Sequence, residues 1–207
     1  MYCWQFGMML EPCCYTPSME ILPQVLEKIR SLPKPVLIAI SGFGGSGKTT
    51  FAEQLSAAIN APIVGVDSFM RDRNLTEYER WEIMDFKRLE SEILAPFHTG
   101  ANPLAYGHFD WGTNGIIETR TINHSGYLVV EGVGLLRPEL KKYFSYSIWI
   151  DCPLDEANER GKKRDREIHL NPQDEYWNGP WRKSEIEYQE TYRPEETADA
   201  VISNCSN

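Results

Sequence analysis

The sequence predicts an α/β fold, and three observations support this prediction. Four apolar runs, at residues 36–40, 61–66, 127–130 and 147–150, have the composition of buried strands. Patterns typical of amphipathic helices separate these runs, as expected where strands and helices alternate along the chain. A glycine-rich segment at residues 42–50 joins the first run directly to a helical pattern. The order strand, loop, helix is the context in which a phosphate-binding loop works.

The glycine-rich segment fits the phosphate-loop pattern G-x-x-x-x-G-K-[ST] at every fixed position. Its glycines let backbone N–H groups turn inward, and the following helix adds the positive end of its dipole, so that together they favour an anion. We expect Lys48 to contact the β- and γ-phosphates and the Thr49 hydroxyl to bind Mg²⁺. A glycine-rich turn with an accidental lysine is the alternative, and chance gives such a match in on the order of one chain in a hundred. The residues expected to hold the nucleotide are Gly42, Gly44, Gly45, Ser46, Gly47, Lys48, Thr49 and Thr50.

Length and composition limit the other possibilities. A chain of 207 residues predicts one domain, here residues 19–207, after an N-terminal extension, residues 1–18, of no assigned role. The net charge of -9 argues against a general nucleic-acid surface, and no run of eighteen apolar residues is present to span a membrane. Five cysteines without C-x-x-C spacing indicate neither a disulfide framework nor a zinc site, and favour a cytoplasmic protein. The sequence leaves open whether the protein forms a homo-oligomer.

Two carboxylates follow buried runs. Asp67 comes after the second run and Glu131 ends the third. If the sheet is parallel, both lie at the edge where α/β sheets keep their ligands. Together with Thr49 they offer the oxygen donors that Mg²⁺ prefers, and Asp67 is the expected proton acceptor for an attacking hydroxyl. The alternative for Asp67 is an aspartate that caps the next turn.

A charged helix is predicted at residues 155–168. Arg160 and Arg164 are four residues apart and therefore share a face, from which they can stabilise charge on a transferring phosphoryl group. A solvated helix with internal salt bridges is the alternative. Residues 171–179 are expected to be flexible, residues 181–192 to form a last helix and residues 198–202 a final strand.

Residues 99–115 combine glycine, histidine and aromatic side chains, which suits a loop that binds an acceptor. An ordinary β-hairpin is an equally good interpretation of the same residues. The side chains expected to contact the acceptor are His108, Phe109 and Asp110 in this segment, and Tyr78 and Arg80 before it.

These motifs resemble the uridine kinase and phosphoribulokinase family of P-loop kinases. The resemblance covers roughly residues 35–203, and the motifs that carry it are the glycine loop, Asp67-Ser68-Phe69, Phe109-Asp110, Val130-Glu131-Gly132, Asp151-Cys152-Pro153, Arg164-Asp165 and Ala198-Asp199. It implies a P-loop NTPase fold, a five-stranded parallel sheet flanked by helices with a helical lid, here at about residues 155–180. It also implies that the protein uses ATP and Mg²⁺, that Asp67 is the general base and that Glu131 helps to hold the metal. The arginines of the lid are then expected to contact the phosphates.

The chain departs from the family pattern on the acceptor side. Residues 77–85 lack the family's His-Pro pair, and Asn114 stands near the place of an expected histidine. The leading hypothesis is therefore an ATP-dependent kinase of a nucleoside 5′-hydroxyl, with nicotinamide riboside, pantothenate-type and sugar acceptors as alternatives. A nucleotide-binding regulator without turnover is a further alternative. A GTPase switch is disfavoured because the chain has neither D-x-x-G nor N-K-x-D.

Overall fold

A central parallel sheet organises the fold in the computed structural model, which describes residues 21–71 and 83–205. The sheet has five strands in the order β2-β5-β1-β6-β7, and every pairing between them is parallel. This confirms the predicted α/β fold with a five-stranded parallel sheet. The strands of the sheet are β1 (Val36–Gly42), β2 (Ile63–Gly65), β5 (Tyr127–Glu131), β6 (Tyr146–Asp151) and β7 (Ala200–Ser203).

The middle strand explains why the apolar runs are continuous. All seven residues of β1 are buried, because helices cover both faces of the sheet and neither face meets solvent. The helices are α1 (Pro23–Ser31), α2 (Lys48–Ile59), α3 (Phe86–Leu89), α4 (Ala95–His98), α5 (Pro138–Lys141), α6 (Leu154–Glu167), α7 (Asp174–Asn178), α8 (Pro180–Tyr192) and α9 (Pro194–Thr197). A π-helical turn, Glu90–Leu94, connects α3 to α4.

Two apolar clusters lie on the two faces of the sheet. One packs α1 and α2 against the sheet through buried side chains such as Ile29 and Phe51. The other packs the α3–α4 segment and α8 against the opposite face, with Leu89 and Tyr188 among its members. The side chains of β1 alternate between the two clusters, as the two-residue period of a strand requires.

The segment predicted either as a binding loop or as a hairpin is a hairpin. β3 (Leu104–Asp110) pairs antiparallel with β4 (Gly115–Ile122), with an irregularity in register between His108 and Phe109. The sequence left these two interpretations open because aromatic and short polar residues suit both.

Two further differences concern the end of the chain. Residues 171–179 were expected to be flexible, but they contain α7, whose Trp177 is buried. The short helix α9 between α8 and β7 was not predicted, because four residues are too few to show a helical period. No helix in residues 21–71 and 83–205 is long and apolar enough to cross a membrane. The N-terminal extension, as well as Tyr78 and Arg80, lies outside the described residues.

Candidate functional site

The glycine loop lies between β1 and α2, as its pattern predicts. Gly47 caps α2 with a φ of 96°, and Gly45 has a φ of 77°, so both adopt the left-handed conformation that favours glycine. A Cβ on Gly45 would lie 2.1 Å from the carbonyl oxygen of Ala157, because the first turn of α6 packs directly on the loop. The glycines are therefore needed for the shape of the loop and for the close approach of α6.

Lys48 lies inside this loop. Its ammonium group donates a hydrogen bond of 2.7 Å to the Phe43 carbonyl, and only 7% of the residue is exposed. Burial lowers the pKa of the ammonium, and the carboxylates of Glu131, Glu185 and Asp67 act against that shift. Lys48 is therefore a buried cation surrounded by acidic groups. Thr49 and Thr50, the next two residues of the motif, are exposed, whereas Ser46 is fully buried.

Sheet topology brings the two predicted carboxylates together. β2 pairs with β5, and Gly65 stands opposite Glu131 in that register. Asp67 lies two residues beyond Gly65, in a 3₁₀ turn, Val66–Phe69, rather than in the strand itself. Burial raises the pKa of Glu131 to about 7. The negative charge of Asp67 raises this pKa further, whereas the charge of Lys48 and the Thr49 side chain lower it. Thr49, Asp67 and Glu131 therefore meet beside Lys48, as the sequence predicts.

Asp67 occupies a recess that is open to solvent but surrounded by protein. Its surface is accessible, yet the protein around it displaces enough bulk water to raise the pKa of the carboxyl group. The cations Lys48 and Arg164 act against this shift. A carboxylate whose pKa is raised above its ordinary value is a stronger base than an ordinary aspartate.

The two predicted arginines of α6 have different surroundings. Arg164 is 46% exposed, hydrogen-bonds Asp165 and places its charge near both Lys48 and Asp67. Arg160 instead donates to the Asn204 carbonyl at 2.9 Å and to Glu156 at 2.5 Å. The two arginines therefore differ in one respect: Arg160 bonds to the segment that follows β7, whereas the charge of Arg164 acts on Lys48 and Asp67.

Asn204 connects these contacts to the loop. Its side-chain amide donates a hydrogen bond of 2.7 Å to the Ser46 carbonyl, and the residue is only 7% exposed. Because Arg160 binds the Asn204 backbone, the segment after β7 supports the loop through these two bonds. Arg160 contributes to the shape of the site through Asn204.

Glu185 of α8 belongs to the site and was not singled out in the sequence. Its Oε1 atom accepts a hydrogen bond of 2.5 Å from the Gly44 amide, and 4% of the residue is exposed. Burial raises the pKa of Glu185 to about 7, against the Gly44 hydrogen bond and the charges of Lys48 and Arg182. No local signal marks it, because it lies in a charged helix 141 residues after Gly44.

The predicted acceptor residues are only partly brought to the site. His108 shares a hydrogen bond of 3.0 Å with the hydroxyl of Ser68, the residue that follows Asp67 in the chain. Phe109 is 2% exposed and therefore packs in the interior, which contradicts its predicted contact with an acceptor. The Asp110 carboxylate accepts a hydrogen bond of 2.7 Å from the Thr113 amide, which identifies it as a cap of the hairpin turn.

Arg88 is a second residue that the sequence did not single out. Its guanidinium donates to the carbonyls of Ser68, at 2.7 Å, and Gly107, at 2.5 Å. It also pairs with Glu92 at 3.0 Å. Arg88 therefore fastens the turn that carries Asp67 to the β3–β4 hairpin, and holds His108 beside it.

The donor atoms of the site fit Mg²⁺. Two neighbouring carboxylates, Asp67 and Glu131, and the Thr49 hydroxyl are all oxygen ligands, and Mg²⁺ usually takes one or two carboxylates and completes its shell with water and substrate phosphates. Residues 21–71 and 83–205 contain no cluster of three or more His, Cys, Asp or Glu side chains that could hold a metal alone.

Comparisons with known proteins agree with this geometry. A family model described as an AAA domain matches residues 38–196. A uridine kinase from Lactobacillus helveticus is 26% identical over 160 residues, which are 67% of this chain and 75% of the relative. Among solved structures, one from Bacillus stearothermophilus, described as a possible uridine kinase, has a TM-score of 0.67 and 24% identity over 86% of this chain and 95% of its own.

A second solved structure, from Silicibacter sp. TM1040, is named for a fructose transport system kinase. It has a TM-score of 0.64 and 23% identity over 86% of this chain and 94% of its own. At these identities the two structures establish a common fold. The chain belongs to the AAA domain family and is a P-loop kinase of the uridine kinase-like type.

Proposed function

We propose that this protein transfers the γ-phosphate of ATP to a hydroxyl group of a small molecule, and that the first acceptor to test is a nucleoside 5′-hydroxyl. The observation that supports the proposal is that Lys48, Asp67 and Glu131 lie close enough together beside the glycine loop for each charge to shift the pKa of another. A cation, an anion-binding loop and a proton acceptor in one place are the parts that phosphoryl transfer needs.

In the proposed mechanism Lys48 and the backbone amides of residues 44–49 bind and orient the phosphates. Asp67 accepts the proton of the acceptor hydroxyl while the oxygen of that hydroxyl forms a bond to the γ-phosphorus. The bond between the γ-phosphorus and the oxygen that joins it to the β-phosphate breaks, and ADP is released. Arg164, whose charge acts on both Lys48 and Asp67, stabilises negative charge on the transferring group. We assign Arg160 to support of the loop through Asn204.

Thr49, Asp67 and Glu131 are the residues we propose to hold Mg²⁺, which supplies positive charge to the phosphates when bound. The Thr49 side chain lies near enough to Glu131 to lower the pKa of its carboxyl group, and this proximity of two oxygen donors supports the assignment. Asp67 adds a carboxylate whose charge acts on Glu131.

The acceptor is expected to lie beside Asp67, between the 3₁₀ turn and the β3–β4 hairpin. His108 supports this placement, because its hydrogen bond to Ser68 fixes a polar side chain next to the proposed base. The uridine kinase from Lactobacillus helveticus favours a nucleoside, whereas the structural neighbour from Silicibacter favours testing a sugar. Nicotinamide riboside and pantothenate-type acceptors remain alternatives.

The decisive experiment measures release of ADP from ATP and Mg²⁺ with a panel of acceptors: uridine, cytidine, nicotinamide riboside, pantothenate and fructose. We expect one of them to stimulate release by at least about a hundredfold over the rate with water. Tight ATP binding without stimulation by any acceptor would contradict the kinase proposal and favour a regulator that binds nucleotide.

The wider organisation follows the same proposal. We propose a single kinase domain at residues 19–207 with a lid at about residues 155–180, and a small-molecule acceptor as its partner in place of nucleic acid or membrane. A cytoplasmic location, expected from the cysteine pattern of the sequence, is part of the same proposal. Gel filtration with light scattering tests whether the protein is a homo-oligomer.

A further inference from the structure

The Glu185 carboxylate is bonded to the backbone of the glycine loop itself. Its Oε1 atom accepts the Gly44 hydrogen bond, while its Oε2 atom is buried and has no hydrogen-bond partner among the residues that the structure describes. An acidic oxygen on an amide of a phosphate loop occupies a donor that would otherwise face an anion. The negative charge of an ionised Glu185 therefore disfavours the anion that the loop is shaped to bind.

The position of Glu185 is fixed by the packing of α8. Tyr188, one turn further along the helix, is 2% exposed, and its hydroxyl accepts a 2.8 Å hydrogen bond from the Leu136 amide. Residues three apart on a helix share a face, so the buried tyrosine anchors the face that carries Glu185.

An aromatic side chain closes the same side of the loop. A Cβ on Gly44 would lie 2.9 Å from the Trp177 ring, and one on Gly161 of α6 would lie 2.4 Å from it. Trp177 is 3% exposed, and its indole N–H donates a 2.7 Å hydrogen bond to Asp165. The indole excludes water from the neighbourhood of Glu185, which strengthens every electrostatic interaction there.

We propose that Glu185 determines nucleotide affinity: its carboxylate competes with the nucleotide phosphates for the Gly44 amide and repels them, so that the loop binds best when this side chain is neutral. The inference rests on the proposed function, because it requires that the loop bind nucleotide. It adds a residue outside the glycine motif to those that control binding.

The charge of Glu185 can change near neutral pH. Its pKa is raised to about 7 by burial, against the Gly44 hydrogen bond and two cations, Lys48 of α2 and Arg182 of α8. Arg182 in turn pairs with Asp155 of α6 at 2.7 Å. Below pH 7 the carboxyl group is mainly neutral and the repulsion is absent, whereas above pH 7 the carboxylate forms and nucleotide affinity falls.

The test compares the dissociation constant for ADP, by calorimetry between pH 6 and pH 8, in the wild type and in Glu185→Gln. Glutamine keeps an oxygen acceptor for the Gly44 amide and removes the charge. We expect Glu185→Gln to bind ADP about tenfold more tightly than the wild type at pH 8 and within about twofold of it at pH 6. The ionisations of ADP and of Lys48 are common to both proteins and largely cancel in the ratio of the two constants.

Glu190→Gln is the matched control, because it makes the same change at an exposed position of the same helix. It should bind ADP like the wild type at each pH. Glu185→Ala, which removes both the charge and the acceptor oxygen, should bind at least as tightly as Glu185→Gln at pH 8. Thermal unfolding of each variant verifies that it is folded.

Three results would overturn the inference. If Glu185→Gln and the wild type have equal affinity throughout the pH range, Glu185 does not compete with nucleotide. If the glutamine variant binds more weakly at every pH, the side chain only orders the loop. If no form of the protein binds ADP or ATP, the proposed function fails as well, and this outcome is distinct from the first two.

Discussion

The two sides of the site, which we propose to bind the phosphate donor and the acceptor, are built from contacts that span different distances along the chain. The donor side consists of one continuous motif and two strand ends, and its central bond, from Lys48 to the Phe43 carbonyl, joins residues five apart in sequence. The acceptor side depends on bonds between distant segments, such as that between Ser68 and His108, which are 40 residues apart. Arg88 of α3 adds two more such bonds, to the carbonyls of Ser68 and Gly107.

This difference explains why the chemistry of the donor is easier to infer than the identity of the acceptor. A phosphate-binding loop needs a backbone shape and a cation, and both are encoded within a few residues. Recognition of an acceptor needs side chains that only the folded chain brings together. Relatives of the same fold can therefore share the loop while differing in the molecule that they phosphorylate.

The largest effect should come from Asp67→Asn, which removes the proposed base at the junction of the two sides. We expect kcat to fall by about 10²- to 10⁴-fold, because asparagine cannot accept the proton, while the affinity for ATP changes only a few-fold. Steady-state ADP release and calorimetry measure the two quantities. Glu27→Gln, which makes the same change from carboxylate to amide at an exposed position of α1, is the matched control. Normal turnover in Asp67→Asn would contradict the assignment of the base.

Lys48→Ala should impair the binding of ATP and leave the binding of the acceptor unchanged. We expect ATP affinity to fall about a hundredfold and most of the thermal stabilisation by nucleotide to be lost, since the change removes the buried cation that we propose to contact the phosphates. Thermal shift with increasing ATP measures the effect, and Lys28→Ala on the exposed face of α1 is the control. Unchanged stabilisation by ATP would show that nucleotide does not bind through this loop.

His108→Ala should affect the acceptor side alone. We expect about a tenfold rise in KM for the acceptor with KM for ATP unchanged, because the residue lies beside Ser68 and makes none of the described contacts of the glycine loop. Kinetics with each substrate varied in turn measure the separation, and His98→Ala at the end of α4 is the control. Equal rises in both KM values would mean that the two sides are not independent.

The smallest effect concerns the two arginines of α6. Arg160→Ala should lower the free energy of unfolding by about 1 kcal/mol through loss of its bond to Asn204, with kcat within a few-fold of the wild type. Arg164→Ala should leave stability nearly unchanged, since the side chain is 46% exposed, and lower kcat about tenfold. Denaturant unfolding and kinetics compare the two variants. A loss of kcat in Arg160→Ala together with a loss of stability in Arg164→Ala would contradict the roles that we assign to the two arginines.

Short-range patterns predicted the donor side well. The strand, loop and helix around Lys48 follow from glycine placement and hydrophobic period, and the meeting of Asp67 with Glu131 follows from the rule that parallel strands end at one edge. Phe109 shows the limit of this approach. Its position in a motif suggested contact with an acceptor, but the burial of a side chain depends on every element packed around it.

The sequence by itself determined the α/β fold, the phosphate loop and the acidic strand ends, because each depends on local geometry or on a general property of parallel sheets. Only the tertiary structure decided that Glu185 bonds to Gly44, that Arg160 supports Asn204, and that Arg88 fastens the hairpin beside Asp67. The physical reason is that these contacts join surfaces of elements far apart in the chain. Such contacts arise from packing and leave no periodic signal in the sequence.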